Sequence, residues 1–211
     1  MNFDVTSQLS SLTHLGAGWI MWLLIALSVA SVAVMVERTI VLVRSGDDIQ
    51  RLRAELMPHL FARDYGGASA VASGSRSYEA RVLSAGLQVV ADGAATAEQR
   101  MAGESTLARL AMEKRLAFLG TVGSNAPFVG LLGTVIGIVR SFAALQASAG
   151  KVSANLMSEV GEALIATAIG ILVAIPAVAA FNAFQRVIKA RLSNADALAR
   201  ELVAQLSSER T

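Results

Sequence analysis

Three side chains stand out by type and spacing as able to do chemistry: Thr134, Thr167 and Glu162. Each lies in or beside a stretch that is otherwise free of charge, where a hydroxyl or carboxylate is costly unless it has a partner. Thr134 lies six residues before Arg140, and Thr167 lies five residues after Glu162. At about 1.5 Å of rise per residue, both hydroxyls fall about 8 to 9 Å inside those charged boundaries, so two antiparallel helices carry them to a common level. Hydroxyls gathered at one depth are functional candidates, or they merely bond their own helix carbonyls; the residues alone leave both readings open. Glu162 is a functional candidate because hydrocarbon penalises its charge, with an interfacial side chain reaching water as its plainer alternative, and Glu159 one turn earlier is a weaker candidate.

These residues need helices long enough to hold them. The chain of 211 residues is 54% hydrophobic and only 16% charged, with a mean hydropathy of +0.55, too apolar for a soluble domain. Crossing the hydrocarbon core of a bilayer takes about 20 apolar residues as helix. Three uncharged windows meet that length: Gly18 to Val36, Leu116 to Val139 and Ala163 to Phe184. The expected organisation is an all-α membrane protein: residues 1–17 as an N-terminal segment, 18–43, 116–140 and 162–185 as spans, 44–115 as a helical domain, 141–161 as a loop, and 186–211 as a C-terminal helix.

Orientation follows from Lys and Arg. None precedes the first span, 11 lie between the first and second, 2 (Arg140 and Lys151) between the second and third, and 5 after the third. The excess of positive charge belongs on the cytoplasmic side, so the N-terminus and the 141–161 loop are expected to be periplasmic and the 44–115 domain and tail cytoplasmic. Trp19 and Trp22 agree, at the headgroup level of the outer end. MNFDVTSQ has no basic residue before the first apolar run, so that run is expected to be retained rather than cleaved as a signal.

Outside the spans, Leu52, Leu56 and Leu60, and Leu107, Leu110 and Leu116, recur at helical spacing, with breaks expected at Pro58, Gly66-Gly67 and Gly93. Asp64 to Gly67 reads as a turn, and Glu98 to Arg115 as a helix feeding straight into the second span. In the tail, Ile188, Leu192, Ala195, Leu198, Leu202 and Leu206 continue the third span as one helix. Glu37 and Arg38, ending the first span, are expected to snorkel or pair.

Small residues permit close helix approach in lipid. Gly130, Gly133, Gly137 and Ser141 on the second span, and Ala163, Ala166, Gly170, Ala174 and Ala177 on the third, mark such faces. Asn125 and Pro127 on the second span and Pro176 on the third are candidates for packing or kinking, Asn125 by bridging helices or by serving carbonyls that the proline frees. GLLGTVIG lacks the glycine spacing, the preceding strand and the following acid of a dinucleotide site.

With no Cys and two isolated His (His14, His59), thiol chemistry, Fe–S clusters and a Cys/His zinc site are set aside. No Ser/His/Asp set or catalytic carboxylate pair is seen, so an enzyme is not expected, and no metal or organic cofactor is called for. Basic residues alternate with acids and lack an aromatic platform, which argues against nucleic acid.

The stretches Asn125 to Ile138 (NAPFVGLLGTVIGI) and Gly161 to Phe184 (GEALIATAIGILVAIPAVAAFNAF) closely resemble the MotA/TolQ/ExbB proton-channel family, in its ExbB/TolQ branch. Ile136, where ExbB proteins often have Trp, and Arg140, where many members are uncharged, depart from the pattern. The resemblance implies an inner-membrane stator that works with proton-motive force, a ring of five copies, and two single-span ExbD/TolR-type subunits inside it. A TonB/TolA-type transducer is a further implied partner. It matches the family's pore threonines to Thr134 and Thr167 and its pore glutamate to Glu162, with H+ as coupling ion and the proton-accepting aspartate on the partner. The competing reading is a passive scaffold whose small-residue faces assemble a ring without ion coupling.

Overall fold

The computed structural model describes residues 18–46, 48–147 and 154–208; the N-terminal segment 1–17 with His14, and Lys151, lie outside them. The described residues form seven α-helices: α1 (Gly18–Arg44), α2 (Ile49–Phe61), α3 (Tyr65–Gly74), α4 (Tyr78–Leu87), α5 (Ala94–Glu113), α6 (Leu116–Ala147) and α7 (Ala154–Ser208), with a single 3-10 turn at Val90–Asp92. Among them there is no strand, and three helices, α1, α6 and α7, are long and apolar enough to cross a membrane. Two compact units result: one from α1 up to Val36 with residues 115–182, the other from residues 37–114 with 183–211.

In the first unit the core is Ile20 and Leu24 of α1, Val122, Ala126 and Ile136 of α6, and Val173, Ala174 and Ala177 of α7. Between α6 and α7 the contact is made by small residues. A carbon added at Gly130 would lie 2.8 Å from the Ala166 carbonyl oxygen, one at Gly133 2.8 Å from Ala166 Cβ, and one at Gly170 2.7 Å from the Ala126 carbonyl oxygen. Gly137 meets Ala163. This closeness is what dispersion between helices requires where lipid removes the hydrophobic drive. Both α6 and α7 run through their prolines, Pro127 and Pro176, as single helices.

The second unit is a short-helix bundle whose starts are set by side-chain caps. Asp48 accepts from Gln50 N and Arg51 N at the head of α2, Asp64 from Gly67 N at α3 and Ser77 from Ala80 N at α4, each satisfying an N–H that a helix start leaves bare. Leu52, Leu56 and Leu60 are buried, as are Ile188, Ala195, Leu198, Leu202 and Leu206 of α7, with Leu192 half-buried. Arg53 of α2 pairs with Glu201 of α7. Arg191 donates from Nη1 to Ser45 O and Ser45 Oγ, both at 3.0 Å, and from Nη2 to Leu42 O at 2.6 Å, serving carbonyls that the end of α1 leaves open. Arg38 is buried, bonds Glu37 at 2.8 Å and donates to the Ala111 carbonyl at 3.4 Å.

Several local expectations are corrected. Pro58 does not break α2, which continues through it to Phe61. Gly66 and Gly67 are not a free turn but the first turn of α3, held by Asp64. Leu107 and Leu110 are exposed; the buried face of α5 is carried by Ala97, Met101, Ala108 and Met112. Helix α5 does not run into the second span: Lys114 is extended (φ −50, ψ 129) and Arg115 takes a left-handed φ of 64, so the chain turns between α5 and α6. Gly93, at φ 94, is the break expected there, in a region that favours glycine.

The Asp64 cap makes a pH prediction. Its carboxylate accepts the Gly67 N–H at 2.9 Å and meets His59 Nδ1 at 2.8 Å. The Gly67 N–H foremost, then the His59 hydrogen bond, hold the carboxyl below the usual carboxylate value. A depressed folded value means the cap's contribution is fully present above about pH 4, the unfolded carboxylate range, and is lost as pH falls through the lowered value. Protection of the α3 amides in wild type, taken relative to the intrinsic exchange rate at each pH, is therefore expected to hold down to about pH 4 and to fall below it. In Asp64→Ala those amides are expected to exchange quickly at neutral pH as well.

Candidate functional site

The seam between α6 and α7 places the sequence-predicted residues. Its antiparallel register is read from Gly133 against Ala166 and Gly137 against Ala163. Thr134 and Thr167 each lie one residue beyond the Gly133/Ala166 contact, in opposite axial directions, so their levels differ by about 3 Å. Their hydrogen bonds differ. Thr134 is buried and donates to Leu131 O of its own helix at 2.6 Å. Thr167, half-buried, donates across the seam to Gly130 O at 3.0 Å. That bond depends on Gly130, since a side chain there would meet Thr167 Cα at 3.0 Å.

Glu162 is half-buried toward the N-terminal end of α7, and the position a Cβ would take on Gly18 of α1 lies 3.8 Å from its Oε1. One turn earlier, Glu159 faces Arg140 of α6 across 3.7 Å, with its Oε2 buried and unpartnered. The end of the seam thus carries two carboxylates and one guanidinium, and the arrangement leaves Glu162 as the carboxylate next to the hydroxyl level. No group of three or more His, Asp or Glu able to hold a metal occurs among the described residues. Ser141, at the same end, is buried and donates to Gly137 O at 2.9 Å.

Asn125 sits elsewhere than expected. Among the described residues it bonds no other helix, nor does it serve a carbonyl freed by Pro127, which would be that of Gly123, four residues before the proline. Instead its Nδ2 donates to Thr121 O at 2.8 Å and to Ser124 Oγ at 3.1 Å, on the exposed side of α6. Ser124 Oγ donates to Gly120 O at 3.0 Å. Thr121, Ser124 and Asn125 together form an exposed polar group on a membrane-length helix. Sequence reading passed over Thr121 and Ser124; the available signal was three polar residues at i, i+3 and i+4 in an apolar run.

Comparison with known proteins bears on what this seam belongs to. Similar proteins include an ExbB-like biopolymer transport protein of Helicobacter pylori, 47% identical over 77 residues, 36% of this chain and 51% of that protein. They also include the Tol-Pal system protein TolQ of Pseudomonas aeruginosa, 52% identical over 73 residues, 35% of this chain and 32% of the relative. The biopolymer transport protein ExbB of Xanthomonas campestris is 45% identical over 91 residues, 43% of this chain and 36% of the relative. The chain thus matches about half or less of the length of these relatives. The model of the MotA/TolQ/ExbB proton channel family matches residues 75–197, a stretch that takes in the whole α6–α7 seam with Thr134, Glu162 and Thr167. Over half of the chain fits that model, in keeping with three membrane-length helices and relatives of the ExbB and TolQ kind, and the chain belongs to the MotA/TolQ/ExbB proton channel family.

Proposed function

We propose that the chain is a stator subunit of the bacterial inner membrane that passes protons and, with a single-span partner of the ExbD/TolR type, converts their flow into work on the cell envelope or on outer-membrane transport. The observation that supports this reading best is the run of polar groups along one helix seam, Glu162 at the mouth and Thr167 and Thr134 below it, in helices otherwise apolar. The N-terminus faces the periplasm and residues 44–115 the cytoplasm in this reading. Five copies form the ring, two partner spans stand inside it, and a TonB/TolA-type transducer takes up the motion.

No acidic residue lies between Arg115 and Arg140 or between Glu162 and Arg186, so the proton acceptor at mid-membrane is supplied by the partner's aspartate. A charged aspartate favours the hydroxyl level, whereas a neutral one tolerates the apolar wall, so protonation changes which orientation of the inner pair is preferred. Each charge moved is worth about 2.3 kcal/mol per 100 mV.

Native mass spectrometry of the extracted complex, with and without the co-expressed single-span protein, tests the assembly. Five copies retaining two partner chains is the expected result; a partner-free assembly of another size in both preparations overturns it. The passive-scaffold reading draws on one observation, that both threonine hydroxyls already bond carbonyls.

A further inference from the structure

The exposed polar group Thr121, Ser124 and Asn125 is not used by the proposed pathway, which so far has a mouth and a hydroxyl level but no route onward. Counted from Arg115, Thr121 lies about 9 Å and Asn125 about 15 Å along α6, which spans half of a hydrocarbon core about 30 Å thick. Lipid tails cannot serve an amide at that depth, and polar side chains there face a protein interior or a water-filled cavity.

The hydrogen bonds say which. An asparagine amide has two N–H donors, and both are taken within the helix, by Thr121 O and Ser124 Oγ. The carbonyl partner also fixes which way the amide points, since a flip would set two carbonyl oxygens against each other. The Ser124 proton is spent within the helix, on Gly120 O at 3.0 Å or Thr121 O at 3.2 Å. What Asn125 and Ser124 retain is acceptor capacity: Oδ1 of the amide and a lone pair of the hydroxyl. The Thr121 hydroxyl adds one donor to the group, so the face accepts more than it donates, and a second copy of it leaves acceptors over. Water donates, and water carrying an excess proton donates more strongly.

We propose that Thr121, Ser124 and Asn125 line a water-filled half-channel running from mid-membrane to the Arg115 end of α6, an acceptor-rich column that holds hydrated protons and disfavours anions. None of the three side chains gains or loses a proton. The excess proton passes from water to water, each oxygen accepting one and releasing another, and leaves at the Arg115 end. This rests on the channel reading above and supplies its exit.

The chain has no native cysteine, so Thr121→Cys, Ser124→Cys and Asn125→Cys give clean reporters in the full chain. The assay is carried out in everted membrane vesicles holding the assembled complex, with Val29→Cys, exposed on α1, as the reference. The membrane-impermeant cationic reagent MTSET is expected to modify the three sites at least about 10-fold faster than Val29→Cys, because the attacking thiolate needs water, and faster than anionic MTSES does. Labelling no faster than the reference, or disulfide-linked copies through these positions instead, overturns the proposal. Asn125→Leu, with assembly unchanged by native mass spectrometry, is expected to cut proton flux at least tenfold; flux at the wild-type level overturns it. The two readings fail differently. Slow labelling with flux that still depends on Glu162 sinks only the half-channel, whereas fast labelling with no proton flux in wild type sinks the channel reading and leaves a hydrated cavity.

Discussion

Gly130→Ala and Gly170→Ala, changes of one carbon, are each expected to destabilise the α6–α7 pair by about 1–3 kcal/mol, and valine at either position to prevent the pair from closing. The new carbon at Gly130 would stand 2.8 Å from a backbone oxygen and 3.2 Å from Gly170 Cα; at Gly170 it would stand 2.7 Å from a backbone oxygen and 3.1 Å from Gly130 Cα. Carbon and carbonyl oxygen normally approach to about 3.3–3.6 Å, and backbone cannot rotate away as a side chain tip can. The helices must therefore part by about 0.5 Å or more, which also lengthens the Thr167 to Gly130 bond. Gly161→Ala, in the same helix α7 with nothing of the chain within 4 Å of its new carbon, is the control, and is expected to be neutral or slightly stabilising. Thermal unfolding of the detergent-extracted chain separates the cases. Equal melting temperatures for Gly170→Ala and Gly161→Ala would show that the seam is looser than described.

The second large effect is functional. Thr167→Val keeps the shape of the side chain and removes its bond to Gly130 O. A hydrogen bond between helices in a membrane is worth about 0.6 kcal/mol and at most about 1.7, so assembly should survive. Proton-driven activity of the complex is expected to fall at least tenfold, and Thr167→Ser to restore most of it by returning the hydroxyl. Glu162→Gln, which removes the charge and keeps the size, is expected to lose activity to a similar degree with assembly intact. Thr134→Val should cost less than Thr167→Val, because its hydroxyl serves only its own helix. A scaffold predicts the reverse pattern: activity that follows assembly alone and is indifferent to Thr167→Val.

Much of the architecture was legible because it is written in periodicity and length. Three uncharged windows set α1, α6 and α7, and the Leu52, Leu56, Leu60 repeat set the buried face of α2. Glycines and alanines three and four apart mark the seam because close approach admits no larger residue. The turn at Lys114-Arg115 was not legible, since both are good helix formers, yet Arg115 takes a left-handed φ. Leu107 and Leu110 look like core residues by type, yet the buried face of α5 is the opposite one, carried by Ala97, Met101, Ala108 and Met112, with Met101 against Gly86 of α4. At the site, depth could be counted along the chain, which is how Thr134 and Thr167 were brought level. Partner choice could not be counted, because whether a hydroxyl bonds its own helix or the next depends on rotation about the helix axis. Asn125 was misplaced for the same reason: its type announced a hydrogen bond, and the helix face decided with whom.

The guanidinium of Arg191 that closes the end of α1 has a consequence for how the protein is made. It joins groups 146 and 149 residues apart, and the leucines that follow it, Leu198, Leu202 and Leu206, are buried near the end of the described chain. At ribosomal rates of about 5–20 residues per second, roughly 7 to 30 s separate the appearance of Leu42 from that of Arg191. For that interval the segment from Glu37 to Lys114 exists without the helix that completes its core, and it cannot obtain that helix until the α6 and α7 spans have been inserted. A nascent chain stalled before Arg191 is therefore expected to present Leu52, Leu56 and Leu60 to chaperones and proteases, and one released after Leu206 to be protected from them.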